Sequence, residues 1–436
     1  MKIKKDKLML FLEFLFLIVL AITHILSFSY LNIVPMLLIL FLFLISDINL
    51  TIKMLFIALP FFNLLNLNIG TTSFYYLYII VFIIKYLIFK KFRLEKHKLL
   101  FLLVLLLVRI PSEDFSALIR WLLLISVLFF TYNEDYFKKN IKEIVMLLSF
   151  SFIISSFFGY YMLLHGLSIY TGGYVYTKEL GATTRFAGLI GDPVFFSQFS
   201  SFLILLCLII NYYSKRFNFL RYILIIVLLI FTLLTYSKMG ILLSITSILI
   251  YVILLILKNA SSKKTAIKSV IITLFFFIVV CFLVKYIISN SSNYIIKNYY
   301  TRFTSGDLFT GRRQINEYYI NLLKSSWKTL FISMPYSDYT SYFPIGNGHL
   351  LNRAHNIYLE SVCIFGLLVT IIIFFWLIRK IYIMLKQKQK KSIIYILPIM
   401  LLLISGLTLH GHLEFHYYYL VALSFAFLDI DMEINI

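Results

Sequence analysis

The residues best suited to chemistry in this chain are cations at the ends of apolar runs. Lys178, Arg185, Lys238, Arg302, Arg312, Arg313 and Arg353, with His349 and His355, all fall at or between the ends of long apolar stretches. A guanidinium grips phosphate oxygens through paired N–H groups and stays charged at any ordinary pH. A hollow lined this way suits an anionic headgroup, although each of these side chains taken singly is equally explained as a solvated loop residue. Asn356 follows His355 directly, and Glu360 lies five positions on from it. An imidazole or a carboxylate takes a proton from a hydroxyl placed within hydrogen-bond reach. At 3.6 residues per turn, His355 and Glu360 stand about 140° apart on a helix, so they need not share one face.

Other chemistries fit less well. His410, His412 and His416 occur as His-Gly-His-Leu-Glu-Phe-His. That differs from the His-Glu-x-x-His arrangement that puts two ligands and a base on one helical face, so they read as polar residues at a membrane interface. There is no Asp-rich magnesium signature, no P-loop and no dinucleotide fingerprint. Neither a metal nor a cofactor is expected. Cys207, Cys281 and Cys363 lie in apolar stretches without metal-ligand spacing and read as small core residues.

The elements that must position these groups follow from composition. Of 436 residues, 61% are hydrophobic and 14% charged, and the mean hydropathy is +0.93. Soluble domains carry roughly 45–50% apolar and about 25% charged residues, so a soluble multidomain enzyme is excluded. A disulfide scaffold and a collagen are excluded by Cys 3, Gly 16 and Pro 7. The net charge of +21 suggests nucleic acid at first sight. The basic residues, however, sit in short clusters between apolar runs, as the positive-inside rule places them in membrane proteins.

A spanning helix needs about 20 mainly apolar residues, and lipid leaves helices or closed barrels as the only options. Runs such as Ile223 to Leu234 do not alternate, which rejects the barrel. Apolar runs fall at 8–30, 31–45, 50–66, 73–89, 98–110, 115–131, 141–164, 193–213, 220–236, 239–257, 267–288, 355–378, 393–409 and 412–429. The runs 31–45 and 98–110 are short, so the expected fold is an all-α polytopic membrane protein of 12–14 helices, one integral domain over 1–436 embedded in a lipid bilayer. The N-terminal run is long and lacks a small-residue cleavage site, and it reads as an uncleaved first helix. Basic clusters at Lys2–Lys7, Lys90–Lys98, Lys138–Lys142, Lys215–Arg221, Lys258–Lys268 and Arg379–Lys391 all fall on one side when the spans alternate, which makes both termini cytoplasmic.

Two connections on the opposite side are long. One spans 165–192, and the other, 289–354, lies between the helices near 267–288 and 355–378. Long loops in compact proteins are usually functional or disordered. Within the larger one, Ile315, Tyr318, Tyr319, Leu322 and Leu323 are spaced as one face of an amphipathic helix. Glu13, Lys53 and Lys85 read as residues near cytoplasmic helix ends, where Lys snorkels. No internal repeat and no broken span is evident, which disfavours a transporter.

Three stretches resemble a known family. They are Arg185-Phe-Ala-Gly-Leu-Ile-Gly-Asp-Pro193, Thr235-Tyr-Ser-Lys-Met-Gly240, and a set made of Thr310-Gly-Arg-Arg313, Trp327, Ile345-Gly-Asn-Gly348 and Ala354-His-Asn-Ile-Tyr-Leu-Glu360 with Gly366. Together they resemble the O-antigen ligase/polymerase superfamily of Wzy-type polysaccharide polymerases and WaaL-type ligases, over roughly residues 180–370. Val194 stands where the family commonly has Asn, and Ser237-Lys238 where it has Ser-Arg; Lys keeps the charge and loses the fork.

The resemblance implies transfer of glycan from undecaprenyl pyrophosphate without nucleotide sugar or metal. The expected activity is polymerisation of lipid-linked repeat units into O-antigen, capsule or exopolysaccharide at the outer face of a bacterial plasma membrane. A ligase of the same superfamily is the alternative, and a flippase for the lipid-linked oligosaccharide is the second. The implied partners are the lipid-linked oligosaccharide, a chain-length regulator and a flippase, with no nucleic acid. Arg185, Lys238, Arg312, Arg313 and Arg353 are expected to bind the pyrophosphate. His355 is expected to act as base with Glu360 as the alternative, and Asn356 to orient His355 or bind sugar.

Overall fold

The computed structural model describes residues 2–28, 30–66, 73–90, 103–104, 115–132, 135–165, 167, 185–214, 218–259, 312–335, 338–339, 343–345, 349–351, 353–387, 393–409, 411–412 and 414–429. The expected spans at 98–110 and 267–288 lie outside the described residues, apart from 103–104. So do Lys178, Arg302, His410, Cys281 and most of the loops 165–192 and 289–354.

The described chain is helical. Its elements are α1 (Lys2–Ile25), α2 (Ile33–Ile45), α3 (Ile48–Ala58) running into a 3-10 helix (Leu59–Leu65), α4 (Phe74–Lys90), α5 (Phe115–Tyr132), α6 (Asp135–Lys139), α7 (Ile141–Leu164), α8 (Pro193–Tyr213), α9 (Asn218–Leu234) and α10 (Lys238–Asn259). Then come α11 (Arg312–Lys324), α12 (Trp327–Phe331), a two-stranded hairpin of β1 (Phe343–Ile345) and β2 (His349–Leu351), α13 (Ile357–Gln387), α14 (Ile393–Ser405) and α15 (Tyr417–Asp429). Among the described residues, six helices are long and apolar enough to cross a membrane: Lys5–Ile25, Ile48–Leu65, Ile141–Leu164, Pro193–Tyr213, Lys238–Leu255 and Ile357–Lys386. Six more are apolar but only 10–17 residues long. These lengths and compositions are consistent with a multi-pass membrane protein.

The chain forms two compact units. The first comprises residues 1–59, 65–144 and 309–430. In it α2 packs on α1, α4 on α3, α5 on α4, and α15 on α5 and α14, while α11 and α12 lie against α13. Several buried polar groups here are paired within the fold, as a low-dielectric interior favours. Tyr75 donates to the Leu55 carbonyl at 2.8 Å and Tyr78 to the Met36 carbonyl at 3.0 Å. Lys85 does not extend toward solvent. It donates to the carbonyls of Phe43 and Ser46, the open C-terminal end of α2, where a cation also complements the helix dipole. Lys53 pairs with Glu143 at 2.7 Å, and Glu13 is fully buried within α1. The snorkelling expected for the two lysines is therefore replaced by internal partners.

The expectation of unbroken spans fails in α13. Gly366 has φ 73° and ψ 162° in mid-helix. The Cys363 carbonyl, which a continuous helix would hydrogen-bond to residue 367, accepts instead from the Met334 amide at 2.7 Å. The chain after α12 thus docks on the break, and its carbonyls at Phe331 and Ile332 press on the Gly366 Cα where a side chain would stand.

The second unit comprises residues 60–64, 145–308 and 431–436. Its centre is α8, packed between α9 and α10. Small residues let the helices approach closely. Gly240 abuts Ser197, Ser201 donates to the Gly240 carbonyl at 2.9 Å and meets Ser244 at 2.8 Å, and Thr232 donates to Ser200 at 2.7 Å. Asp192 starts α8: its Oδ1 accepts the amides of Val194 at 2.6 Å and Phe195 at 3.1 Å, with Pro193 at the first helical position. Replacing Asp192 by Ala leaves those amides unpaired and is expected to cost about 1 kcal/mol, read as a lowered midpoint in thermal unfolding of the detergent-solubilised protein.

Candidate functional site

In the first unit the candidate residues gather around the start of α13. Arg353 has a left-handed backbone, φ 64°, which costs a non-glycine residue about 1–2 kcal/mol. The surroundings hold it there. Its amide donates to the Tyr319 hydroxyl at 2.8 Å, and that hydroxyl donates in turn to the Tyr339 carbonyl at 2.6 Å. Its Nη1 pairs with Glu414 Oε1 at 2.9 Å. Non-glycine residues kept in rare backbone regions tend to cluster at ligand sites.

His355 is half-buried and stands outside the helix, because Asn356 is the helix cap. The Asn356 Oδ1 accepts the amides of Tyr358 at 2.9 Å and Leu359 at 3.1 Å. A shared helical geometry for His355 and Glu360 therefore does not apply: α13 begins at Ile357, two residues later than the apolar run. Glu360 is completely buried, and its Oε2 accepts the amides of Gly411 at 2.6 Å and His412 at 3.0 Å. It thus grips the turn between α14 and α15, the same turn that carries Glu414.

That turn is stiffened further. Trp121 Nε1 donates to the Tyr418 hydroxyl at 2.7 Å, which lies 3.3 Å from His412 Nδ1, while His412 Nε2 lies 2.7 Å from the Ser361 hydroxyl. Ser361 donates to the Ile357 carbonyl at 2.6 Å. The directions agree on one tautomer: Tyr418 donates to Nδ1, and the Nε2 proton goes to Ser361. His412 and His416 are buried within the protein. Both His412 nitrogens are engaged within the fold.

Arg312 and Arg313 open α11. Its apolar stripe of Ile315, Tyr319 and Leu323 is buried, and the helix lies against α13. Arg313 pairs with Glu317 at 2.8 Å in an exposed i,i+4 contact, which contributes little. Of the stripe expected from sequence, Ile315, Tyr319 and Leu323 are buried, Leu322 is half-buried and Tyr318 is exposed; the Tyr319 hydroxyl fixes Arg353.

In the second unit the structure brings Arg185 to the turn that carries Lys238. Arg185 Nε donates to the Thr235 carbonyl at 3.0 Å, and the Phe186 amide donates to the Leu234 carbonyl at 3.1 Å. Tyr236 in that turn has φ 49°. Ser237 accepts the Gly240 amide at 3.3 Å, so Lys238 is the first residue of α10. Upstream, Gly188 and Gly191 have positive φ, and Asn63 donates to the Leu189 and Ile190 carbonyls at 2.7 and 2.8 Å. The Arg…Gly…Asp-Pro stretch is thus a rigid, hydrogen-bonded lead into α8.

Two participants escaped sequence reading. Glu414 was visible only as an acidic residue among histidines, and Tyr319 only as an apolar position. A half-buried arginine's need for a counter-charge is the signal that points to the first. Compared with known proteins, the chain matches no family model, no curated protein and no solved structure.

Proposed function

We propose that this chain polymerises oligosaccharide repeat units carried on undecaprenyl pyrophosphate, at the outer face of a bacterial plasma membrane, as a metal-independent glycosyltransferase of the O-antigen ligase/polymerase type. One observation carries the reading. Arg353 is held in strained backbone by Tyr319 and Glu414, two residues ahead of His355, at the head of a helix long enough to span a bilayer.

The donor is already activated by its pyrophosphate. The acceptor hydroxyl oxygen bonds to the donor sugar carbon, the bond from that carbon to the phosphate oxygen breaks, and undecaprenyl pyrophosphate leaves. His355 takes the hydroxyl proton. Arg353, with Arg312 and Arg313, offsets the charge that builds on the departing oxygen. Arg185 and Lys238 keep the phosphate-binding role that the resemblance implies. In this reading the chain crosses the membrane 12–14 times with both termini cytoplasmic. The segments 165–192 and 289–354 face outward, and a flippase and a chain-length regulator work beside it.

A second reading has its own support. The break at Gly366 is the kind of discontinuity found in transporters, and it favours a flippase for the same lipid-linked oligosaccharide. A ligase is the alternative within the superfamily. Deleting the gene separates all three. Loss of a polymerase leaves single repeat units on the final acceptor, loss of a ligase leaves polymer on the carrier lipid, and loss of a flippase leaves lipid-linked single units in the inner leaflet. The proposal requires the first pattern, seen as collapse of the polysaccharide ladder to one band on a gel.

A further inference from the structure

Helix α12 keeps an apolar face on the outside of the fold. Trp327 and Phe331 stand one turn apart, and so on one side of the helix, and are 73% and 40% exposed, whereas Ser333 and Met334 just beyond them are buried. The charged residues beside this face are cations: Lys324 closes α11 and Lys328 lies in α12, both exposed. Exposed Trp and Phe flanked by Lys is the composition of an element lying in a membrane interface. The backbone is also suited to lipid, where each polar group needs an internal partner. The amides of Leu330 and Ile332 donate to the carbonyls of Ser326 and Lys328 at 3.1 and 3.0 Å, and the Lys328 amide donates to the Ser326 hydroxyl at 3.2 Å.

The height of this face follows from α13. The Met334 amide donates to the Cys363 carbonyl at 2.7 Å, and the carbonyls of Phe331 and Ile332 press on Gly366, so the end of α12 stands level with the break. Past the break, Leu368, Ile371, Ile372 and Phe375 are 54–67% exposed, as the lipid-facing residues of a span are. The far end of that span is marked by Trp376, with Lys380 Nζ 5.7 Å from its ring centre, and by the exposed Arg379. At 1.5 Å per residue, Gly366 lies about 20 Å along the axis from Arg379, which is about 10 Å less than a hydrocarbon core is thick. Measured instead from Lys386, the basic residue in the last turn of α13, Gly366 lies about 30 Å away, at the edge of the core. Any tilt of the helix puts it deeper. Both measures set α12 between the edge of the hydrocarbon and about 10 Å inside it, the depth that interfacial helices reach.

We propose that α12 is a membrane-inserted foot: Trp327 and Phe331 enter the acyl chains of the leaflet around the head of α13, and Lys324 and Lys328 hold the phosphates of that leaflet's headgroups. The occupant of the face is phospholipid, because the bilayer that bathes Leu368 and Ile371 reaches α12 where the two helices meet at Gly366. The foot also bears on the candidate site. Tyr319 of α11 holds the Arg353 amide, and α11 passes into α12 through Ser325 and Ser326 alone. Arg353 is thereby tied to the membrane surface, where a lipid-linked anion has its charged group. The insertion itself does not depend on which reaction the chain performs; it rests on α13 crossing a bilayer.

The test uses the full chain in nanodiscs of phosphatidylcholine, plain or brominated on the acyl chains near the headgroup end. The chain has three tryptophans, Trp121, Trp327 and Trp376. The emission of Trp327 is taken as the difference between the native chain and Trp327→Phe, and Trp327→Tyr gives the same difference should the Phe variant not fold; matched thermal unfolding checks both. Trp327 is expected to emit at the blue-shifted wavelength of an apolar setting and to lose most of its emission in the brominated discs. Undiminished emission there overturns the insertion, whether aqueous iodide then quenches Trp327, which shows it in water, or does not, which shows it covered by a second copy or another protein. Trp376→Phe supplies the control for α13. Quenching of Trp376 without quenching of Trp327 overturns the foot alone; quenching of neither overturns the bilayer crossing of α13 as well. Lipid-linked donor turnover is assayed in the same discs, and quenching of Trp327 without turnover sinks the transfer reading and leaves the foot standing.

Discussion

His355→Gln is expected to lower polymer formation by about 10²–10⁴-fold, the usual contribution of a positioned general base. The substitution removes the proton acceptor and keeps a polar side chain of similar length. Asn356, not His355, caps α13, and the Tyr319 and Glu414 contacts that hold Arg353 do not involve the imidazole. Protein levels and unfolding temperature should therefore match the native chain, while the surface polysaccharide ladder shrinks to its shortest members. Full-length polymer at native protein levels would remove His355 from the mechanism. Asn356→Ala behaves differently. It uncaps the helix and is expected to cost about 1 kcal/mol of stability along with activity, so the two effects are separable by comparing ladder length with unfolding temperature.

The largest stability effect is expected at Gly366. Its φ of 73° with ψ of 162° is a conformation that L side chains essentially avoid. A Cβ built there falls 2.6 Å from the Phe331 carbonyl carbon and closer still to the Phe331 and Ile332 oxygens. These are backbone atoms and cannot swing aside as a flexible side chain does. Gly366→Ala must either expel the end of α12 or straighten α13, and in both cases the bond from the Met334 amide to the Cys363 carbonyl is lost. Backbone strain and the steric clash together predict a loss of about 3 kcal/mol or more. The readout is a sharply lowered unfolding midpoint and reduced accumulation in membranes. Because α11 and α12 lie against α13, the Arg353 contacts loosen as well, and activity falls with stability.

Most helices were legible from hydropathy, because a bilayer imposes length and apolarity on each span separately. The expected runs at 115–131, 141–164 and 193–213 agree with α5, α7 and α8 to within a residue at each end. The amphipathic spacing likewise marked the buried face of α11 at Ile315, Tyr319 and Leu323, but it wrongly included Tyr318, which is exposed. What stayed hidden depends on partners far away in sequence. Lys53 and Lys85 looked like snorkelling residues because nothing nearby in the chain announces Glu143 or the open end of α2. The break at Gly366 was invisible because hydropathy is blind to φ, and only a lone Gly in an apolar run hinted at it. Around the candidate site, Arg353 and His355 stood out by charge and position. Their supports did not: Tyr319 acts through a hydroxyl on an otherwise apolar face, and Glu414 acts across 61 residues of chain.

The most direct measurement reconstitutes the purified chain in vesicles that contain an undecaprenyl-pyrophosphate-linked oligosaccharide, with EDTA and without nucleotide sugar. The account predicts one undecaprenyl pyrophosphate released for each new glycosidic bond, and a rate about 10²–10³-fold lower for Arg353→Gln, as for loss of one preorganised charge-stabilising donor. Carrier lipid that crosses to the opposite leaflet with its oligosaccharide intact and no pyrophosphate released would contradict it.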